Sequence, residues 1–244
     1  MLRRAKWAGV VLVLASIVSG CGHSSKSTAL RTPAVRVTVS PGESGGVNLT
    51  QLVRASAARA LRLLPNRGRV RIDVRPNPDG AIPEIGVGGA TDLRGNVHIS
   101  WDPTRVAVRK ALLAWVPVIV AHELHHSAHF RAGAGGNTLG DVIVSEGMAD
   151  QFAHEVYPHA QHSPWDHALT KEQKHAYWKR VRPLLQARID PSVFWGDNGR
   201  FPQWAGYTVG YDIVGRYLTA NHLRAGALVT VRARTILAEV GSAT

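Results

Sequence analysis

The sequence predicts an α+β domain. Three observations carry this expectation. Short stretches before residue 102 alternate apolar with polar residues, the periodicity turns helical after Asp102-Pro103, and no segment repeats. Composition agrees: of 244 residues, 45% are hydrophobic and 19% charged. Wholesale disorder, collagen and coiled coil are excluded. A single domain is expected over residues 34–244, with a small N-terminal β-sheet and helices followed by a mainly helical C-terminal half.

Residues 1–20 read as an export signal. Arg3, Arg4 and Lys6 form a basic start, and Val10–Val18 an apolar core too short to span a bilayer. The segment ends in Val18-Ser19-Gly20-Cys21, which resembles the lipobox of bacterial lipoproteins. The resemblance implies a thioether-linked diacylglycerol and an acylated amine on Cys21. Several chains together anchor a protein firmly to a membrane. The expected location is the extracytoplasmic face of the cell membrane. Cys21 is the one cysteine, so an intramolecular disulfide and a Cys-rich metal site are excluded. Residues 21–33 read as the lipidated Cys and a flexible polar tether.

Val35, Val37 and Val39 alternate with polar residues, as in a half-buried strand. Asn48 can cap a helix running to about Leu64, where Pro65-Asn66-Arg67-Gly68 stops it. Val70, Ile72 and Val74 mark a second strand, Ile85-Gly86-Val87 another, and Val97, Ile99 and Trp101 a further one. Thr104 to about Trp115 reads as one helix, with Pro117 opening the next, which runs to about Arg131. Thr138 and Asp141 resemble a capping box for a helix ending before Pro158. Leu169–Arg188, with a break at Pro183, Trp204–Asn221 and Ala227–Val240 complete the helical half.

Lys and Arg number 29 against 17 Asp and Glu, a net charge of +12. The basic residues are scattered, which fits a solvated face near anionic lipid and no nucleic-acid partner. No feature specifies an oligomeric state. The twelve histidines stand out, because imidazole binds metals and moves protons near neutral pH.

Four of them lie close together in Ala121-His122-Glu123-Leu124-His125-His126-Ser127-Ala128-His129. His122 and His126 are four apart, about 40° in helical projection, so both imidazoles can share one zinc ion. Glu123 can then reach the open side of the metal and take a proton from water there. The third ligand decides the class. The metzincin pattern needs Gly at 129 and His at 132, where this chain has His129 and Ala132. Glu146 follows His126 after nineteen intervening residues. That spacing is similar to the thermolysin-like gluzincin pattern, in which a second helix supplies Glu. In that pattern an Asp four residues later, here Asp150, holds the outer nitrogen of a ligand His. Asp150 or Asp141 as third ligand, in aspzincin style, is the alternative.

The stretches AHELHHS at 121–127, SEGMADQF at 145–152 and WAGYTVGYDIV at 204–214 resemble a bacterial family of uncharacterised domains described as predicted zinc-dependent proteases. The likeness covers roughly residues 70–220. It implies a zincin-like fold, one zinc ion held by His122, His126 and Glu146, and hydrolysis of a peptide or protein substrate with Glu123 as general base. Zincin logic adds an edge strand that pairs with substrate backbone, for which Asn96–Trp101 is the candidate. A donor for the developing oxyanion is also needed, and Tyr207 and Tyr211 can face the cleft together. His125 and His129, on a rotated face, read as accessory or surface groups. His154, His159, His162 and His167 read as solvated. The competing reading is a non-catalytic metal-binding or scaffold lipoprotein of the cell envelope.

Overall fold

The computed structural model describes residues 35–65, 68–196 and 201–240. The expected signal, Cys21 and the tether lie outside these residues. Among the described residues, no helix is long and apolar enough to cross a membrane.

The fold is α+β. Strands β1 (Val35–Val39), β2 (Val70–Pro76), β3 (Val87–Thr91) and β4 (Val97–Trp101) form a mixed sheet in the order β1-β2-β4-β3. β1, β2 and β4 run parallel, and β3 is antiparallel to β4. The expected strand at 85–87 forms two residues later, because Gly86 takes a left-handed φ of 72° and turns the chain first. A second expectation is corrected. Asn96–Trp101 is not an edge, since β4 pairs with β2 on one side and β3 on the other. The edge beside it is β3. Local alternation marks a strand but carries no information about which strands flank it.

Helix α1 (Leu49–Leu61) starts where Asn48 Oδ1 accepts from the Gln51 amide at 2.9 Å. It packs with α2 (Val108–Arg131) on one face of the sheet. Val70, Ile72 and Val74 point into that interface, while Arg71 and Arg75 remain exposed on the other side.

The expected break at Pro117 does not occur; α2 is continuous for 24 residues with Pro117 inside it. Proline removes the amide that would bond the carbonyl of Leu113. Leu113 is exposed, so water can take the vacant place, while burial of the remaining faces holds the helix together.

Helix α3 (Leu139–Val156) begins with the expected capping box between Thr138 and Asp141. It packs against α2 and α5 (Ala205–Asn221). Gly147 and Gly210 face each other across the α3–α5 contact, where a Cβ on either would strike the other helix's backbone. Helix α4 (Lys171–Val181) stops at Pro183, and the final stretch divides into a 3-10 turn (Ala225–Thr230) and α6 (Ala233–Val240).

Candidate metal centre

His122 and His126 project from α2 where that helix is buried on nearly every side. Glu146 reaches them from α3. His122 Nε2 and His126 Nε2 are 3.0 Å apart, and Glu146 Oε2 lies 3.1 Å from the first and 3.4 Å from the second. Three lone-pair-bearing atoms thus face one point. Zinc–nitrogen and zinc–oxygen bonds of about 2.0–2.1 Å in a tetrahedron separate ligand atoms by about 3.3 Å. The three separations straddle that value, so the residues fit a zinc-sized ion. Of Asp141, Glu146 and Asp150, it is Glu146 whose carboxylate faces both imidazoles. Asp141 is committed to capping α3, and Asp150 stands behind His122.

Outer contacts set the orientation of both rings. Asp150 Oδ1 accepts from His122 Nδ1 at 2.8 Å, which keeps the proton on Nδ1 and leaves the Nε2 lone pair for a cation. The Trp165 indole donates to both Asp150 oxygens at 3.1 Å. His126 Nδ1 lies 3.1 Å from Ser145 Oγ. Charge is balanced tightly here. Burial works against ionised Glu146, but His126 and His122 outweigh it and hold the carboxyl below its usual range. Burial pushes Asp150 up to about 6, with Asp166 and Glu146 adding to the effect and His122 opposing it. Burial would lower His122, yet Asp150 and Glu146 together raise it well above its ordinary value.

Glu123 is buried one residue from His122, and its Oε2 accepts from Thr91 Oγ1 on edge strand β3 at 2.7 Å. A Cβ at Gly89 would lie 2.5 Å from Glu123 Oε1, so that glycine makes room for the carboxylate. The strand is held in place along α2. Ser127 Oγ and Arg131 Nη2 donate to the carbonyl of Gly95, in the β3–β4 turn, at 2.7 and 2.9 Å.

The two tyrosines separate. Tyr207 is buried among Trp165, Phe194, Trp195 and Trp204. Burial raises its phenol well above the ordinary value, and Glu146, Asp150 and Glu123 raise it further. Tyr211 packs its ring edge-on against His154 and His167 instead. Residues four apart share a helix face but stand a full turn apart along it, so the two rings reach different groups.

His125 and His129 are not surface groups, because α2 is buried on their side too. His125 is fully buried against His129 and Phe152. His129 Nδ1 donates to the Val229 carbonyl at 3.0 Å. His159, His162 and His167 are exposed as expected, but His154 is half-buried and bonds Asp166. Sequence reasoning missed Thr91, Ser145, Trp165 and Asp166. Ser145, beside Glu146 on α3, carried the one local hint.

Fold and geometry together define an α+β domain whose buried His–His–Glu group can hold a metal ion. The chain belongs to the family described as "Predicted Zn-dependent protease (DUF2268)", which matches residues 69–238 and so contains the whole group. Two relatives come from Bacillus subtilis strain 168. Uncharacterized protein YjaZ is 32% identical over 130 residues, 50% of this chain and 49% of its own length. The chain therefore spans about half of that relative. Uncharacterized protein YjfC is 24% identical over 211 residues, 76% of this chain and 68% of its own length. No solved structure matches the chain.

Proposed function

We propose that this protein is a zinc-dependent metallopeptidase of gluzincin type, held by lipid on Cys21 to the extracytoplasmic face of a membrane. The observation that carries the reading is the convergence of His122 Nε2, His126 Nε2 and Glu146 Oε2 within 3.4 Å, with Glu123 alongside. These three residues would hold one zinc ion, and Asp150 and Ser145 would fix the imidazoles. Zinc bound there supplies Lewis acidity, which lowers the pKa of water and polarises a carbonyl.

Glu123 is the general base. It removes a proton from the attacking water and returns it to the departing amine, moving one proton and no net charge. Thr91 holds the carboxylate through its Oε2. Substrate backbone adds antiparallel to β3, the sheet edge next to Glu123, which replaces β4 in that role. Tyr207 remains protonated at neutral pH because of its burial and the three nearby acids. It is the better placed tyrosine to donate toward the developing oxyanion.

The test is purified protein assayed against a proteome-derived peptide library. Stoichiometric zinc and hydrolysis that disappears in Glu123→Gln, with zinc retained, are expected. Absence of zinc, or unchanged hydrolysis in that variant, overturns the reading.

A further inference from the structure

A second group of metal-binding side chains lies behind the first. Helix α3 carries Glu146, Asp150 and His154 at four-residue intervals, so the three run along one face. Glu146 meets the imidazoles of α2, Asp150 holds His122 from behind, and His154 continues the row outward. The segment between α3 and α4 folds back over this row. The carbonyl of Trp165 accepts from Thr208 Oγ1 at 2.5 Å, and its indole bonds Asp150. The next residue, Asp166, is thereby set beside His154.

Asp166 is fully buried. Its Oδ2 lies 2.6 Å from His154 Nε2 and 3.4 Å from His162 Nδ1, and accepts from the Ser163 amide at 2.9 Å. Its Oδ1 is buried with no hydrogen-bond partner. A desolvated carboxylate oxygen left without a partner is costly, and nothing in the fold requires it. One ligand atom from each of His154, His162 and Asp166 lies within 4.8 Å of the others. The imidazoles stand 4.6 Å apart between centroids. The His162 side chain is 57% exposed, which gives it room to adjust and a cation a path of entry.

We propose that His154, His162 and Asp166 form a second site, for a borderline divalent transition-metal ion of the zinc class. Two imidazoles and one carboxylate are the donor set such ions take, and positions left to water keep the site exchangeable. A cation there engages the buried carboxylate and fastens the 159–167 segment to α3. Trp165, which braces Asp150 and through it His122, lies in that segment. The proposal needs no hydrolytic activity and stands apart from the peptidase reading.

Metal content of the full-length chain tests it. Chelator-treated protein is dialysed against excess Zn2+, or Co2+ as a spectroscopic stand-in, and the ions per chain are counted. Two ions are expected in the wild type and one in His162→Ala, a substitution at an exposed position that leaves the core packing untouched. One ion is also expected in His122→Ala, and none in the double variant. In His122→Ala, where only the second site remains, zinc should slow amide hydrogen exchange across 159–167. Equal ion counts in the wild type and in His162→Ala overturn the site; the His154–Asp166 contact is then an ordinary ion pair. Binding that leaves exchange unchanged overturns the fastening role. An ion count that His122→Ala leaves unchanged and His162→Ala lowers would instead sink the first centre and leave this site standing.

Discussion

Glu123 occupies the position next to His122, yet its hydrogen bond is made to a strand. On the peptidase reading Thr91 is therefore a positioning residue. Removing its hydroxyl in Thr91→Val deletes a bond to a charged group worth about 1.5–3 kcal/mol. We expect kcat to fall about tenfold or more with KM and zinc content nearly constant; loss of zinc would instead indicate a structural defect. Asp150→Asn keeps an acceptor for His122 but removes its charge, and zinc affinity measured by competition with a chelating dye should fall by about 10–100-fold. His129 gives a pH signature. Burial lowers its pKa from 6.5 to about 4. The unfolded chain thus takes up a proton that the folded chain refuses. Stability is unaffected above pH 6.5 and falls as the pH drops from there toward 4, by about 1.4 kcal/mol per unit. Urea unfolding across this window should show the slope, and His129→Gln should reduce it, the rest coming from His125, which burial also lowers. Among single residues, His122, Glu123 and His126 could be read from spacing on one helix, because a helix converts spacing into direction; Glu146 and Asp150, on another helix, come from the resemblance to the gluzincin pattern. Thr91 and Trp165 could not. They reach the site from separate elements, and their local sequence carries no trace of it.

Each helix near the site is placed by a feature of its own. Pro117 would end a solvated helix, but α2 keeps its course because the sheet, α1 and α3 bury the turns around it. Periodicity found both halves and misjudged the join, since the cost of a proline depends on what surrounds the exposed carbonyl. Helix α3 depends on two glycines. Gly147 lets the backbone of α5 approach directly, and this contact brings Tyr207 toward the acids on α2 and α3. Gly147→Ala forces the helices apart, at a cost of about 1–3 kcal/mol. Because Gly147 adjoins Glu146, zinc affinity should fall along with the midpoint of chemical denaturation. A variant that loses stability and keeps full affinity would show that α3 does not set the position of Glu146.

Zinc should act as a structural element of the whole domain. Its candidate ligands join α2 to α3, two layers of the core, and metal binding to the folded state alone adds stability by mass action. At a free concentration one hundred times Kd the gain is about 2.7 kcal/mol. For a domain of this size that corresponds to a melting shift of roughly 5–10 °C, readable by scanning calorimetry with zinc against chelator. The α+β class was legible because strands and helices separate along the chain. Sheet order was not, since long-range pairing leaves no mark on local alternation. Alternation therefore points to β4 as an edge, a place that belongs to β3. The clamp of Ser127 and Arg131 on the Gly95 carbonyl has a mechanical consequence. It rivets the β3–β4 hairpin to α2, so Glu123 and the strand beside it behave as one fixed jaw. If the protein takes a bulky chain as the peptidase reading proposes, any gape must then come from the opposite jaw, built on α5 and the segments that pack against it.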